Sequence, residues 1–393
     1  MPQTRRGFFR TLGLGSAGLL SSSYIIGYGR EALSWGNDIE QPQQTNDAEL
    51  LKLSSNENMR GPSRKTMEAL HRAITIRLGR GYPPDYTLEL VSTVADTYAV
   101  EPENVIIGTG SSPILQATTL ASCSPTRGLV TAATTYGTPA ATARQMGFPI
   151  KEVPLNSSFE LDLDAMADAV NDAGMVFVCN PNNPTGTVHT ASDIAGFVRH
   201  VKQNSPDTLI LLDEAYIDYA LGDPAVQTAA PLALEYPGVM ILRTFSKAHG
   251  MAGLRLGYSI GQADSLRKVG QAWGLGSVNA LSAAAGIASL TDVQHLNEER
   301  LENTRVREFT LSAFRDMGFE ATASKTNFVF INIRRPASIF RDGTLKQGVR
   351  VGRDFQPMEN THARVSLGTM EDMQKAVQVF RNVLTRTSES GDA

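Results

Sequence analysis

The stretch Arg243-Thr244-Phe245-Ser246-Lys247-Ala248-His249-Gly250-Met251-Ala252-Gly253-Leu254-Arg255-Leu256-Gly257-Tyr258 follows directly on the apolar run Val239-Met240-Ile241-Leu242. A lone lysine is usually a solvated surface charge. Lys247 instead stands at the exit of a predicted buried strand, in a segment poor in charge, with Ser246 beside it and Arg255 shortly after. A lysine amine in such a pocket can form a Schiff base with an aldehyde. A serine hydroxyl and a guanidinium, with its fork of donors, can hold a phosphate.

Upstream, two further segments follow directly on apolar runs. Met175-Val176-Phe177-Val178 leads into Cys179-Asn180-Pro181-Asn182-Asn183-Pro184-Thr185-Gly186, which by itself reads as a turn. Leu209-Ile210-Leu211-Leu212 leads into Asp213-Glu214-Ala215-Tyr216. Continuous apolar runs are typical of strands buried on both faces, and the carboxyl ends of such strands are where open α/β sheets bind ligands. Strand patterns at 105–107 and 128–132 alternate with helical patterns at 63–79, 87–99, from Ser112 and at 137–146. This alternation predicts an α/β fold with a mostly parallel sheet between helices. After about residue 290 the pattern changes to helices at 293–316 and 370–386 flanking strands at 326–333 and 362–367, which predicts a smaller α+β C-terminal domain. The expected organisation is a signal segment over 1–35, a linker or arm over 36–62, a large domain over 63–290 and a small domain over 291–393.

Composition narrows the function classes. The chain has 393 residues, 41 % hydrophobic and 19 % charged, which excludes global disorder. Its formal net charge of −4, without a basic stripe, argues against a nucleic-acid partner. Two cysteines supply neither a disulfide framework nor a Cys-rich metal site, and no metal is expected. Near the start, Arg5-Arg6-Gly7-Phe8-Phe9 precedes a weakly apolar run in which no charge falls between Arg10 and Arg30. This resembles a twin-arginine export signal, and implies the export machinery as a partner and an exported, periplasmic protein, tethered to the membrane if the segment is not cleaved.

The three chemistry-bearing segments, in this order, resemble the fold-type I aminotransferases that use pyridoxal 5′-phosphate, and more narrowly the histidinol-phosphate aminotransferase branch. The resemblance runs from about Leu53 to Leu384, and Leu53-Ser54-Ser55-Asn56-Glu57-Asn58 resembles the branch's N-terminal signature, with Asn56 toward the substrate. It implies that Lys247 carries the cofactor and moves the proton, that Asp213 pairs with the ring nitrogen, that Asn183 and Tyr216 hydrogen-bond the ring oxygen, and that Tyr136 stacks on the ring. Ser111 and Ser112, after Gly108-Thr109-Gly110 at a predicted helix start, would hold the phosphate with Ser246 and Arg255. Tyr82 would reach the phosphate of a neighbouring subunit in a homodimer with shared sites. Arg364, in His362-Ala363-Arg364-Val365-Ser366, would clamp the substrate α-carboxylate, with Arg353 as a second anion contact. Met59-Arg60, Gly81 and Pro113 depart from the branch's pattern around the substrate and phosphate region, and none of them removes a catalytic residue. The expected activity is transfer of an amino group from an L-amino acid to a 2-oxo acid. Oxidation, decarboxylation or lyase chemistry on the same scaffold is the alternative, followed by a cofactor-binding module without catalysis.

Overall fold

The apolar runs that dominate the sequence become the middle of a seven-stranded sheet. In the computed structural model, which describes residues 50–75 and 84–385, Met175–Cys179 (β5), Leu209–Asp213 (β6) and Val239–Thr244 (β7) lie side by side and parallel. All residues of β5 and β7 are buried, as expected of strands covered on both faces. Val105–Gly108 (β2), Leu129–Ala132 (β3), Ile150–Val153 (β4) and Gly257–Gly261 (β8) complete the order β2-β8-β7-β6-β5-β3-β4. Every pairing is parallel except the two made by β8, which runs against both β7 and β2. The exception has a local cause. The β7–β8 connection lays no crossover helix on the sheet, so the chain turns back and pairs antiparallel. That connection is the Lys247 segment.

A second core sits around the antiparallel sheet β12-β10-β9, made by Glu320–Ala321 (β9), Phe328–Asn332 (β10) and His362–Ser366 (β12). Helices Val293–Asp316, Ala337–Leu345 and Met370–Thr385 cover it, with Phe314 stacked on Phe380 at 5.5 Å between ring centroids. Leu51–Leu53 (β1) lies in the segment read from sequence as an arm. It pairs parallel with Val349–Val351 (β11), and Leu53 is fully buried in this second core. Leu-Lys-Leu alternates with the period of a strand, so one leucine points inward and the lysine outward. The strand anchors the segment that follows it, Ser54–Asn58. Among the described residues no helix is long and apolar enough to cross a membrane. The paired arginines Arg5 and Arg6, and Tyr82, lie outside the described residues.

Candidate active site

Four strands of the large sheet deliver their carboxyl ends to one edge. β2 ends at Gly108 and hands over to the helix Ser111–Ser122. β5 ends at Cys179 and leads to Asn183, β6 ends at Asp213, and β7 ends at Thr244, just before Ser246 and Lys247. Cys179 and Asp213 are register partners, as are Asp213 and Leu242. Below this edge Arg243 holds the exit of β6 in place. Its guanidinium reaches Glu214 Oε2 at 3.2 Å and Asp218 Oδ1 at 2.5 Å in a buried triad.

One end of the pocket is made largely of backbone. The helix Ser111–Ser122 starts at Gly110 without a side-chain cap, and Pro113 has no N–H, so the first-turn donors are Ser111 and Ser112. Gly110 has φ of +87°, and a Cβ there would fall 2.3 Å from Arg255 Nη2. A Cβ on Gly257 would fall 2.7 Å from the Ser111 nitrogen. The two glycines therefore let the guanidinium and β8 close on the helix N-terminus. Arg255 is itself left-handed, with φ of +54°, and its Nη1 donates to the Ala252 carbonyl at 2.9 Å and to Ser246 Oγ at 3.5 Å. Ser111, Ser112, Ser246 and Arg255 thus converge on one corner, whose donors could take up an anion.

The other end is built of side chains from distant parts of the chain. Arg364 Nη1 donates to Asn183 Oδ1 at 2.7 Å and Nη2 to the Ser54 carbonyl at 2.6 Å. Its guanidinium lies 4.8 Å from the Phe355 ring centroid and 5.5 Å from that of Phe328. Its Nε is buried and has no hydrogen-bond partner among the described residues. The Tyr216 hydroxyl accepts from Asn56 Nδ2 at 3.0 Å and from Asn183 Nδ2 at 3.5 Å. Asn56 sits in the left-handed region, a conformation asparagine tolerates, with Ser366 Oγ donating to its Oδ1 at 2.7 Å. Lys247 Nζ lies 5.4 Å above the Tyr216 ring and donates to the Ser55 and Asn56 carbonyls at 3.3 and 3.2 Å.

Burial sets the protonation states. It lowers the Lys247 amine to about 8, helped by the positive charges of Arg364 and Arg255. It raises the Asp213 carboxyl to about 7, against the pull of the Ala215 N–H and of Lys247. Asp213 makes no ion pair among the described residues, and its Oδ1 accepts from the Ala215 N–H at 3.0 Å. Arg364 falls to about 10, again chiefly through burial. The Tyr216 hydroxyl is pushed up and stays protonated at neutral pH. A basic amine, an unpaired buried acid, a hydroxyl and a partly unsatisfied guanidinium can together carry a proton and orient an anionic substrate.

The structure brings Lys247, Asn56, Asn183, Tyr216 and Arg364 into one hydrogen-bonded set, with Asp213 at the adjoining strand end. Tyr136 is half-buried, packs on the cluster containing Met175, Cys179 and Leu242, and lies close enough to act electrostatically on Tyr216 and Arg364. Arg353 stands outside this set. It is exposed, lies 5.1 Å from the Phe355 ring centroid, and its charge acts on Arg364. Sequence reading missed Ser54, Asn327, Phe355 and Ser366. Ser366 follows Arg364 by two residues on one strand, the spacing that puts both side chains on the same face, and could have been found. Ser54 acts through its carbonyl, which no residue type announces. No group of metal-ligating side chains occurs among the described residues.

Known proteins resemble this chain over most of its length. Residues 48–380 match the family Aminotransferase class I and II. A histidinol-phosphate aminotransferase of Moorella thermoacetica is 34 % identical over 354 residues, covering 89 % of each chain. A histidinol-phosphate aminotransferase 2 of Pseudomonas fluorescens is 34 % identical over 347 residues, 86 % of this chain and 90 % of that one. The solved histidinol-phosphate aminotransferase of Sinorhizobium meliloti, in complex with pyridoxal-5′-phosphate, superposes with a TM-score of 0.78 at 24 % identity, over 86 % of this chain and 91 % of that one, and so shares the fold. With the match to the family spanning both cores and the whole pocket, the chain belongs to the class I and II aminotransferases.

Proposed function

We propose that this aminotransferase holds pyridoxal 5′-phosphate on Lys247 and moves an amino group from an L-amino acid, gripped at its α-carboxylate by Arg364, to a 2-oxo acid. The observation that carries the reading is the convergence of the Lys247 amine, the Tyr216 hydroxyl and the Arg364 guanidinium on one pocket. The residues fit the cofactor at three separate points. Asp213 is a buried acid with no ion pair among the described residues, which suits a protonated ring nitrogen. The uncapped helix start beside Gly110, Ser246 and Arg255 suits a phosphate. Tyr216 and Asn183 suit a ring oxygen, and Tyr136 offers an aromatic face.

When bound, the cofactor supplies an aldehyde that takes up the amino group and a ring that accepts the electron pair of the cleaved Cα–H bond. The protein does the rest. Lys247 Nζ, neutral in a useful fraction near pH 8, takes the proton from the substrate carbon and returns it. Asp213 stabilises a positive ring nitrogen, and with that partner its carboxyl stays ionised. Arg364 offers its unpaired Nε, and the two donors now on Ser54 and Asn183, to a carboxylate in bidentate geometry. Ser54–Asn58 covers Lys247 and limits the access of water.

The same reading includes a homodimer in which Tyr82 of one subunit serves the other's phosphate corner, and export by the twin-arginine route from the motif Arg5-Arg6. It places a signal over 1–35, an arm over 36–62, a large domain over 63–290 and a small one over 291–393. The decisive experiment gives single L-amino acids, and histidinol phosphate because the relatives are named for it, to the holoenzyme without oxygen. Conversion of the cofactor to its amine form, reversed by a 2-oxo acid, is expected. Oxygen-consuming turnover without a 2-oxo acid would instead mark an oxidase.

A further inference from the structure

The departure from the branch's pattern at Met59-Arg60 has a structural counterpart. Arg60 Nη1 lies 3.2 Å from Glu299 Oε2, on the helix Val293–Asp316, and the Glu299 side chain is only 5 % exposed. A small, partly open cavity of about 20 Å³ lies here, lined in part by Asn58, Arg60, Tyr219, Glu299 and Asn327. Among the described residues the buried Tyr219 hydroxyl and Asn327 Oδ1 have no hydrogen-bond partner, and buried Glu299 Oε2 has no partner beyond its ion pair with Arg60. The volume suits one water molecule, which can accept from Tyr219 and donate to both Glu299 and Asn327. All three would then be satisfied at once.

The cavity is connected to the active site by hydrogen bonds. Asn327 Nδ2 donates to the Asn56 carbonyl at 3.0 Å, and that carbonyl also accepts from Lys247 at 3.2 Å. Asn58 Nδ2 donates to the carbonyl of Ala248, the neighbour of Lys247, at 3.2 Å, and Arg60 N closes a turn on Asn58 Oδ1 at 2.9 Å. A Cβ on Gly250 would fall 2.1 Å from the Gly61 carbonyl, so the lysine loop and the chain after Arg60 touch backbone to backbone. Burial raises the Glu299 carboxyl above the usual glutamate range, while Arg60 and a hydrogen bond from Asn58 pull it back.

We infer that Arg60 and Glu299, bridged to Asn327 and Tyr219 by a buried water, form a latch that positions Ser54–Asn58 over the substrate end of the active site. Arg60 and Glu299 are positioning residues, acting through Ser54 on Arg364. The inference rests on the proposed function only for its kinetic consequence.

The test uses the holoenzyme with Arg60→Ala, Arg60→Lys and Glu299→Gln. Hydrogen exchange of the amides over 54–60 should speed up about tenfold in Arg60→Ala and Glu299→Gln, the equivalent of about 1.4 kcal/mol. KM for the amino acid should rise about tenfold, with kcat and cofactor affinity changed less than about twofold, because the damage falls on substrate grip. Arg60→Lys, which keeps the charge, should restore most of both. Unchanged exchange over 54–60, faster exchange spread over the whole chain, or faster local exchange with unchanged KM would each overturn the latch. If the parent enzyme shows no half-reaction with amino acids, the proposed function fails, and the exchange measurement still decides the latch.

Discussion

The two ends of the pocket are built in opposite ways. The anion corner uses Ser111, Ser112, Ser246 and Arg255, all beside strand ends of a single sheet, and much of its donor set is backbone. The carboxylate end joins Ser54, Asn56, Asn183, Tyr216 and Arg364, with contacts that span 310 residues of sequence, as between Asn56 and Ser366. The first end is fixed by the fold of the large sheet and should tolerate the loss of a single side chain. The second depends on side chains meeting across two cores, so removing one partner leaves the others buried and unmatched. Lys247 feels the charge of both ends, Arg364 at one and Arg255 at the other.

Lys247→Ala should be the most damaging change. Proton transfer by a placed base contributes about 10²–10⁴-fold, and the covalent hold on the cofactor is lost as well, so turnover should fall by at least about a thousandfold. Borohydride reduction of the parent enzyme followed by peptide mapping should place the label on Lys247. A label on another lysine would remove the assignment and the comparison with it.

Arg364→Leu tests the claim that the carboxylate end stands apart from the anion corner. Loss of a buried charge partner costs about 2–5 kcal/mol, so KM for amino acids and 2-oxo acids should rise by at least about thirtyfold. Cofactor affinity should hardly change. An equal loss of cofactor would show that the two ends are one unit.

The coupling between the ends is electrostatic and can be read from pH. Combination of the apoprotein with the aldehyde cofactor needs a neutral Lys247 amine. With the amine at about 8, the rate at pH 7 should be about a tenth of its plateau, rise about tenfold per unit below pH 8 and level off above it. An unperturbed lysine would still be gaining rate beyond pH 9. Arg364→Leu removes a nearby positive charge that depresses the amine, so the profile should move to higher pH in that variant.

The same contrast explains what could be read from the sequence. The large sheet was legible because its central strands are unbroken apolar runs and each chemistry-bearing segment begins where a run stops, as at Asp213 and Lys247. The anion corner was legible because Gly108-Thr109-Gly110-Ser111-Ser112 is contiguous. The carboxylate end was legible only in Arg364, Asn183, Tyr216 and Asn56. Ser54 contributes a carbonyl, Phe355 a ring face beneath two guanidinium groups, and Asn327 an amide at the start of a strand. None of these roles follows from residue type at a spacing, because each exists only once two cores have met. Leu51–Leu53 reads as part of an arm because its partner strand, Val349–Val351, lies about 300 residues away and three alternating residues do not announce it.

The smallest effects should come from the anion corner, and the choice of residue decides their size. Ser112→Ala removes one hydroxyl and leaves the Ser111 and Ser112 N–H groups, Ser246 and Arg255 in place. A single neutral hydrogen bond contributes about 0.5–1.5 kcal/mol, so cofactor affinity should drop only about two- to tenfold, with KM for the amino acid unchanged. Gly110→Ala touches no donor at all, yet it should weaken cofactor binding more. Its φ of +87° is costly for alanine, and its new methyl would collide with the Arg255 guanidinium at 2.3 Å. Arginine is flexible and can swing away, but only by leaving the corner, so the variant gives up the guanidinium contact as well as the backbone fit. Titration of cofactor into the two apoproteins ranks them directly. If Ser112→Ala proves the more damaging, the corner is held by side chains after all, and the distinction between the two ends of the pocket disappears.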